Sequence, residues 1–285
     1  MHFLKLPSWV KEHEYPYEKF EDIPNEVFAK INAGLDQLQS KEPLMTILIA
    51  AYNEEVNLLR CISSLSRQQT NIPFDIIVIN NNSKDKTQET INKLHLKSMF
   101  QPIQGCGPAR QIGQEQALGK YILIADADCI YPSAWINEMM KVLQRPNTAC
   151  VYGRYSFIEE PGYPRWQLFF FEKMKDLAAD IKQIKRPYLN VYGISMGYVK
   201  EYGLKAGYIM HNTRGDDGRL AFDMMAYGKI RPVKSSQARV WTGARTLQRD
   251  GSLFNALTKR IRTEALSFPD NLTTHPPHDT KTSKN

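Results

Sequence analysis

Cysteine is scarce in this chain of 285 residues, and the four present (Cys61, Cys106, Cys129 and Cys150) form no C-x-x-C pair. That spacing excludes a zinc finger, and a chain of this size needs no disulfide framework. Four reduced thiols in a cytosolic protein are expected. No apolar run approaches the roughly 20 residues that span a bilayer. The opening run MHFLKLPSWVKEHEYPYEKF lacks the apolar centre of a secretory signal, so none is expected. No H-E-x-x-H pair of zinc ligands occurs, and no internal repeat is visible. A soluble protein, at most peripheral on a membrane, is the expectation.

What remains is an ordinary globular mixture, 42% hydrophobic and 24% charged, long enough to bury roughly three quarters of its unfolded surface. Charge is uneven along it. Through Glu160 there are 16 basic and 19 acidic residues, and from Pro161 onward 21 and 11. A basic second half suits phosphates, an anionic membrane surface or nucleic acid, and equally a solvated surface. Residues 1–42 read as an extension packed on the body, with one helix near 26–39. Residues 266–285 read as a disordered tail, with almost no apolar content from Asp270 onward.

In between, apolar runs at 44–52, 74–80, 121–126 and 149–157 read as buried strands. Amphipathic segments separate them. Leu58, Ile62 and Leu65 fall at i, i+4 and i+7, with Asn53 placed to cap and Glu54 and Glu55 in the first turn. Another helix is expected to start at Pro108, with Ala109, Ile112, Gly113 and Ala117 on one face. Such alternation predicts an α/β fold, a mainly parallel sheet flanked by helices. Ligands of such sheets sit at the carboxyl ends of the strands.

Those ends carry the polar residues. The first run ends in Ala51-Tyr52-Asn53-Glu54-Glu55, and the second in Asn80-Asn81-Asn82-Ser83, with Asp85 and Thr87 beyond. Gly105-Cys106-Gly107-Pro108-Ala109-Arg110 opens a helix, and the third run ends in Asp126-Ala127-Asp128. Each cluster alone could be a turn or cap. Together they converge in space. Asp126 and Asp128, two apart in extended chain, point to one side about 6.6 Å apart. That arrangement suits a Mg²⁺ or Mn²⁺ ion shared with phosphate oxygens.

The runs AAYNEE (50–55), IIVINNNSKDKT (76–87), GCGPARQIGQEQALGKYILIADAD (105–128) and GDDGRL (215–220) resemble the inverting family-2 glycosyltransferases of the GT-A fold. The resemblance implies a soluble, cytoplasmic enzyme, or one peripheral on the inner face of a membrane. It would move one sugar from a nucleoside-diphosphate-sugar, UDP-linked first, to a hydroxyl of a glycan, lipid-linked or small-molecule acceptor. Residues 43–157 would form the nucleotide-sugar half, and 158–265 the acceptor and catalytic-base half. Ala51, Tyr52 and Glu54 would lie along the nucleotide, and Asn80 would face the base with Asn82 beside it. Gly107 and Arg110 would sit near the phosphates, with Ala127 between the acids. Asp126 and Asp128 would hold Mn²⁺ or Mg²⁺. Asp217 would be the catalytic base, Asp216 its neighbour, and Gly193, Ser195 and Met196 the acceptor side. Arg245 would close over the diphosphate. Asn80 and Asn81 stand where the family commonly has Asp. No Q-x-x-R-W occurs, which argues against a processive synthase.

Several rivals bear weighing. Gly193-Ile194-Ser195-Met196-Gly197 matches the G-x-S-x-G elbow of serine hydrolases, with Asp217 and then His275 or His278 in hydrolase order. No H-G-G segment precedes it, so hydrolysis ranks below transfer. Both acids of GDDGRL could instead cap the helix read after them. A nucleic-acid-binding module rests on charge alone, without a recognisable motif. In residues 165–186, Phe170, Met174, Leu177, Ile181 and Ile184 share a stripe with lysines at its flanks, read as core packing or a homodimer seam, and alternatively as a membrane-surface helix.

Overall fold

A computed structural model describes residues 5–211 and 215–244. The chain opens with α1 (Ser8–Lys11) and α2 (Asn25–Leu38), whose Phe28, Ile31 and Leu35 are buried. Then follow β1 (Met45–Ala51), α3 (Asn57–Leu65), β2 (Phe74–Asn80), α4 (Thr87–Asn92) and β3 (Lys97–Phe100). Next come α5 (Cys106–Gln116), β4 (Tyr121–Asp126), β5 (Cys129–Ile130), α6 (Trp135–Leu143), β6 (Thr148–Tyr152) and β7 (Tyr155–Phe157). The second half holds α7 (Arg165–Lys182), β8 (Met196–Val199), α8 (Lys200–Ala206), α9 (Asp216–Met224), β9 (Lys229–Pro232) and β10 (Val240–Thr242).

Seven strands form one sheet in the order β3-β2-β1-β4-β8-β6-β9. Pairing is parallel from β3 through β4 and between β6 and β9, while β8 runs antiparallel to both its neighbours. The sheet is therefore mainly parallel, with helices on both faces. This explains the continuous apolar strands: Ile47 and Ile49 of β1 pack with α2, α3 and α6, whereas Leu48 packs with α5 and α9. Both faces of one strand are core.

The run 149–157 is not one strand. It breaks at Gly153-Arg154, where the Gly153 N–H donates to the Ser195 carbonyl at 2.8 Å and Arg154 turns to Asp180 at 2.7 Å. Its second part, β7, joins a small sheet ordered β5-β10-β7. The helix expected at Pro108 starts two residues earlier, at Cys106. Asn53 caps nothing in α3, whose N-cap is Val56; its amide oxygen accepts from the Lys84 N–H at 2.8 Å instead. The tail 266–285 and Arg245 lie outside the described residues.

The N-terminal extension is fastened through His13, buried and bonded to Ser63 Oγ at 2.9 Å. Burial, with Arg67 adding to it, pushes the imidazole down to about 4 from 6.5. The folded state thus excludes a proton that the unfolded chain binds below pH 6.5. Stability from this group is complete above that pH and declines as pH falls toward 4, by about 3 kcal/mol in all. Comparing the pH dependence of urea midpoints tests this: His13→Asn should flatten the slope between pH 6.5 and 4, and an unchanged slope would contradict it.

Candidate active site

The loops after β1 and β2 are tied to each other by side-chain oxygens. The Asn53 N–H donates to Ser83 Oγ at 3.1 Å, the Glu54 N–H to Thr87 Oγ1 at 2.8 Å, and the Glu55 N–H to Asp85 at 3.3 Å. Asn53 and Asn82 both adopt positive φ, where a short amide side chain is tolerated. Asn81, buried, accepts from the Gly105 N–H at 2.7 Å and donates to the Ile103 carbonyl at 2.8 Å. Asn80 accepts from the Ser83 N–H at 3.0 Å and donates to Gln88 at 2.8 Å. These asparagines use both halves of the amide on loop architecture, a task a carboxylate cannot perform. At the end of β1, Ala51 is buried and Tyr52 is 44% exposed, while Glu54 accepts from Asn57 at 2.7 Å. The Asn82 amide donates to the Pro102 carbonyl at 3.3 Å.

Arg110 is the centre of the cluster. It is buried on the first turns of α5, and its guanidinium reaches Asp126 at 3.1 Å and Asp217 at 2.5 Å. Burial opposes its charge, but Asp217 and Asp126 outweigh that and hold it well above the ordinary arginine range. The other Asp217 oxygen accepts the Gly193 N–H at 2.8 Å. A Cβ at Gly193 would overlap the Arg110 guanidinium, so only glycine brings that amide so close. Tyr131 completes a ring: its hydroxyl accepts the Asp126 N–H at 2.8 Å and donates to the Ile194 carbonyl at 2.9 Å. Sequence reading missed Tyr131; its one signal is an aromatic residue three positions after the second of the paired acids.

Asp216 and Asp217 open α9, but neither caps it. The N-cap is Gly215, with φ at +83°. Asp216 is buried, pairs with Arg219 at 3.2 Å and accepts from the Ile209 N–H. Burial pushes its carboxyl up, against the pull of Arg219. A Cβ at Gly107 would strike the Ile209 carbonyl and crowd Asp216, so the start of α5 and the start of α9 meet through a glycine. Asp217 is held by Arg110 and the Gly193 amide, and Asp216 by Arg219 one turn along α9 and the Ile209 amide, which overturns the cap reading.

The hydrolase reading also fails. Ser195 is buried, accepts from Trp135 Nε1 at 2.9 Å and contacts Met139 Sδ at 3.7 Å, with no histidine beside it among the described residues. Its segment is a short 3-10 turn (Gly193–Ser195) entering a strand, the reverse of a strand-to-helix elbow. Met196 is buried in the core on β8. His275 and His278 lie outside the described residues.

Asp126, Asp128 and Cys129 bring one ligand atom each within 4.8 Å of one another. Burial, with Asp128 next in effect, pushes the Cys129 thiol well up, and its Sγ contacts Asp128 Oδ1 at 3.4 Å. Within the group the two carboxylates are the hard oxygen donors, while the thiol is a soft one directed at Asp128. That donor set fits Mg²⁺ or Mn²⁺ rather than a soft metal. Burial pushes the Asp126 carboxyl up to about 7, with Arg110 opposing and Asp128 and Asp217 adding to the shift. A pocket of about 300 Å³ opens beside Asp128, lined also by Glu14, Arg60, Ile158 and Glu159.

Residues 46–202 match the family described as Glycosyl transferase family 2. An uncharacterized glycosyltransferase of Haemophilus influenzae is 32% identical over 127 residues, 42% of this chain and 50% of that protein. The chondroitin synthase of Pasteurella multocida is 33% identical over 138 residues, 46% of this chain and 14% of the synthase. The chain thus spans half or less of the length of these relatives. Among solved structures, the mannosyltransferase PcManGT from Pyrobaculum calidifontis, in complex with GDP-Man and Mn²⁺, superposes with a TM-score of 0.52 at 15% identity. That match covers 85% of this chain and 73% of the other. TarS 1–349 of S. aureus, in complex with UDP-GlcNAc, gives 0.50 at 18% identity over 70% and 58%. These likenesses show the GT-A fold. With the family match running over more than half of its residues, the chain belongs to glycosyl transferase family 2.

Proposed function

We propose that this protein moves one sugar from a nucleoside-diphosphate-sugar, a UDP-sugar first, to an acceptor hydroxyl with inversion, in a Mn²⁺- or Mg²⁺-dependent reaction in the cytoplasm. One observation carries the reading: Arg110 bonds at once to Asp126, the first of the paired acids, and to Asp217, the candidate base. Donor-side and acceptor-side groups thereby share one buried cation. The similarity to proteins solved with GDP-Man and Mn²⁺ and with UDP-GlcNAc supports a nucleotide-sugar donor.

Asp128 and Asp126 would hold the divalent ion, which when bound neutralises charge on the departing diphosphate. Tyr52, exposed at the end of β1, offers a face on which a base can stack. Asp217 takes the acceptor proton at a carboxylate oxygen as the new bond forms. Both its oxygens already accept one bond, and each keeps a second lone pair for that proton. Arg110 and the Gly193 amide fix the direction in which those lone pairs point. Asp216 supports this from behind, locked by Arg219.

Thermal unfolding against a panel of nucleotide sugars with Mn²⁺ tests the donor. A ligand at a hundred times its dissociation constant should add about 2.7 kcal/mol of stability. Asp128→Asn should weaken that shift and remove its dependence on the ion. No shift with any nucleotide sugar would sink the donor assignment, and full activity of the parent enzyme in EDTA would sink the metal.

A further inference from the structure

The outer face of α7 is an apolar stripe, exposed among the described residues. Trp166, Phe170 and Leu177 are 57%, 61% and 56% exposed, Met174 is exposed between them, and Ile184 in the following turn is 69% exposed. Side chains so spaced lie along one helix face for about 27 Å. The inner face is packed separately, through Leu168 and Phe171 against Phe157 and Ala244.

Charge on α7 is sorted in the same way. Its acids are spent within the fold: Glu172 on Arg165 at 2.7 Å, Asp176 on Arg239 and Arg154, Asp180 on Arg154 at 2.7 Å and Lys234 at 2.8 Å. The charged residues exposed beside the stripe are cationic, Lys173 and Lys185. We infer that α7 docks this protein on an anionic phospholipid surface, its apolar stripe entering the interface and these lysines meeting the headgroups.

Electrostatics separates this occupant from two others. A second copy would bring the same cationic rim against itself. Residues 245–285, which continue the chain from Ala244 on the inner side of α7, carry seven basic and four acidic residues and offer no net complement. An anionic bilayer satisfies both the apolar and the cationic features, as an amphipathic helix with aromatic residues and flanking lysines requires. From the end of α7 the chain runs through Pro187–Asn190 to Gly193, which holds Asp217.

Flotation of the full chain with phosphatidylcholine vesicles, with and without phosphatidylglycerol, tests this. The protein should float with the anionic vesicles, and high salt should weaken the association. Lys173→Glu with Lys185→Glu, and separately Phe170→Ser with Leu177→Ser, should each lower partitioning by roughly tenfold or more. These side chains are exposed, so melting temperature and its rise with nucleotide should stay near the parent's; the result is independent of the donor assignment. Absent flotation, or flotation undiminished in both variants, would overturn the inference. So would a dimer in sedimentation that dissociates in Phe170→Ser with Leu177→Ser.

Discussion

Asp217→Asn is expected to lower turnover by about 10²–10⁴-fold, the usual contribution of a positioned general base. The asparagine oxygen can still accept from Arg110, and Asp126 still balances that cation, so folding and donor affinity should change little. The effect belongs in turnover rather than in donor binding. Asp216→Asn tests the division of labour: it should cost less in turnover and more in stability, because Arg219 loses a charged partner in a buried setting. Measuring turnover, donor affinity and melting temperature for both variants checks this. Near-normal turnover in Asp217→Asn would remove it as the base.

The largest effect on stability is expected at Arg110. Arg110→Met keeps most of the volume but leaves Asp126 and Asp217 without their shared cation, beside Asp128. Breaking a buried pair by removing one partner typically costs about 3–5 kcal/mol, since the remaining charge stays desolvated. Both carboxylates are partly exposed and can recruit water, which places the expected loss at the lower end of that range. Adding Asp217→Asn to Arg110→Met should return part of the loss, giving a coupling energy of about 1–3 kcal/mol. Urea midpoints of the two single variants and the double variant supply the cycle. Strict additivity would show that the guanidinium and Asp217 do not act together.

How much of this was legible in the sequence differs by residue. Ile47, Leu48 and Ile49 announced a strand buried on both faces, and Asp126 and Asp128 announced its carboxyl end, because apolar continuity and polar termination are local signals. The break at Gly153-Arg154 was not legible: it depends on Ser195 and Asp180, distant in sequence and adjacent only after folding. Gly193 could be picked out by resemblance, but its task of passing an amide beside Arg110 to Asp217 is a matter of close approach. Ser195 misled in the opposite sense. A five-residue pattern matched a nucleophile, and the three-dimensional surroundings, Trp135 and Met139, give it none of a nucleophile's partners. Local pattern carries element type; long-range pairing decides what a polar residue is for.

The bonds that tie the β1 and β2 loops together have a thermodynamic consequence. Fixing a residue's backbone opposes ordering by about 1–2 kcal/mol. Loops that had to organise around an arriving nucleotide would subtract that loss from affinity, residue by residue. Here Asn53, Glu54, Glu55 and Ser83 lose their freedom when the chain folds, through bonds internal to the protein. The entropy of loop ordering is therefore a term in folding and not in association. On the proposed reading, discrimination between bases would rest on a rigid outline, rejecting a misfitting nucleotide instead of reshaping around it.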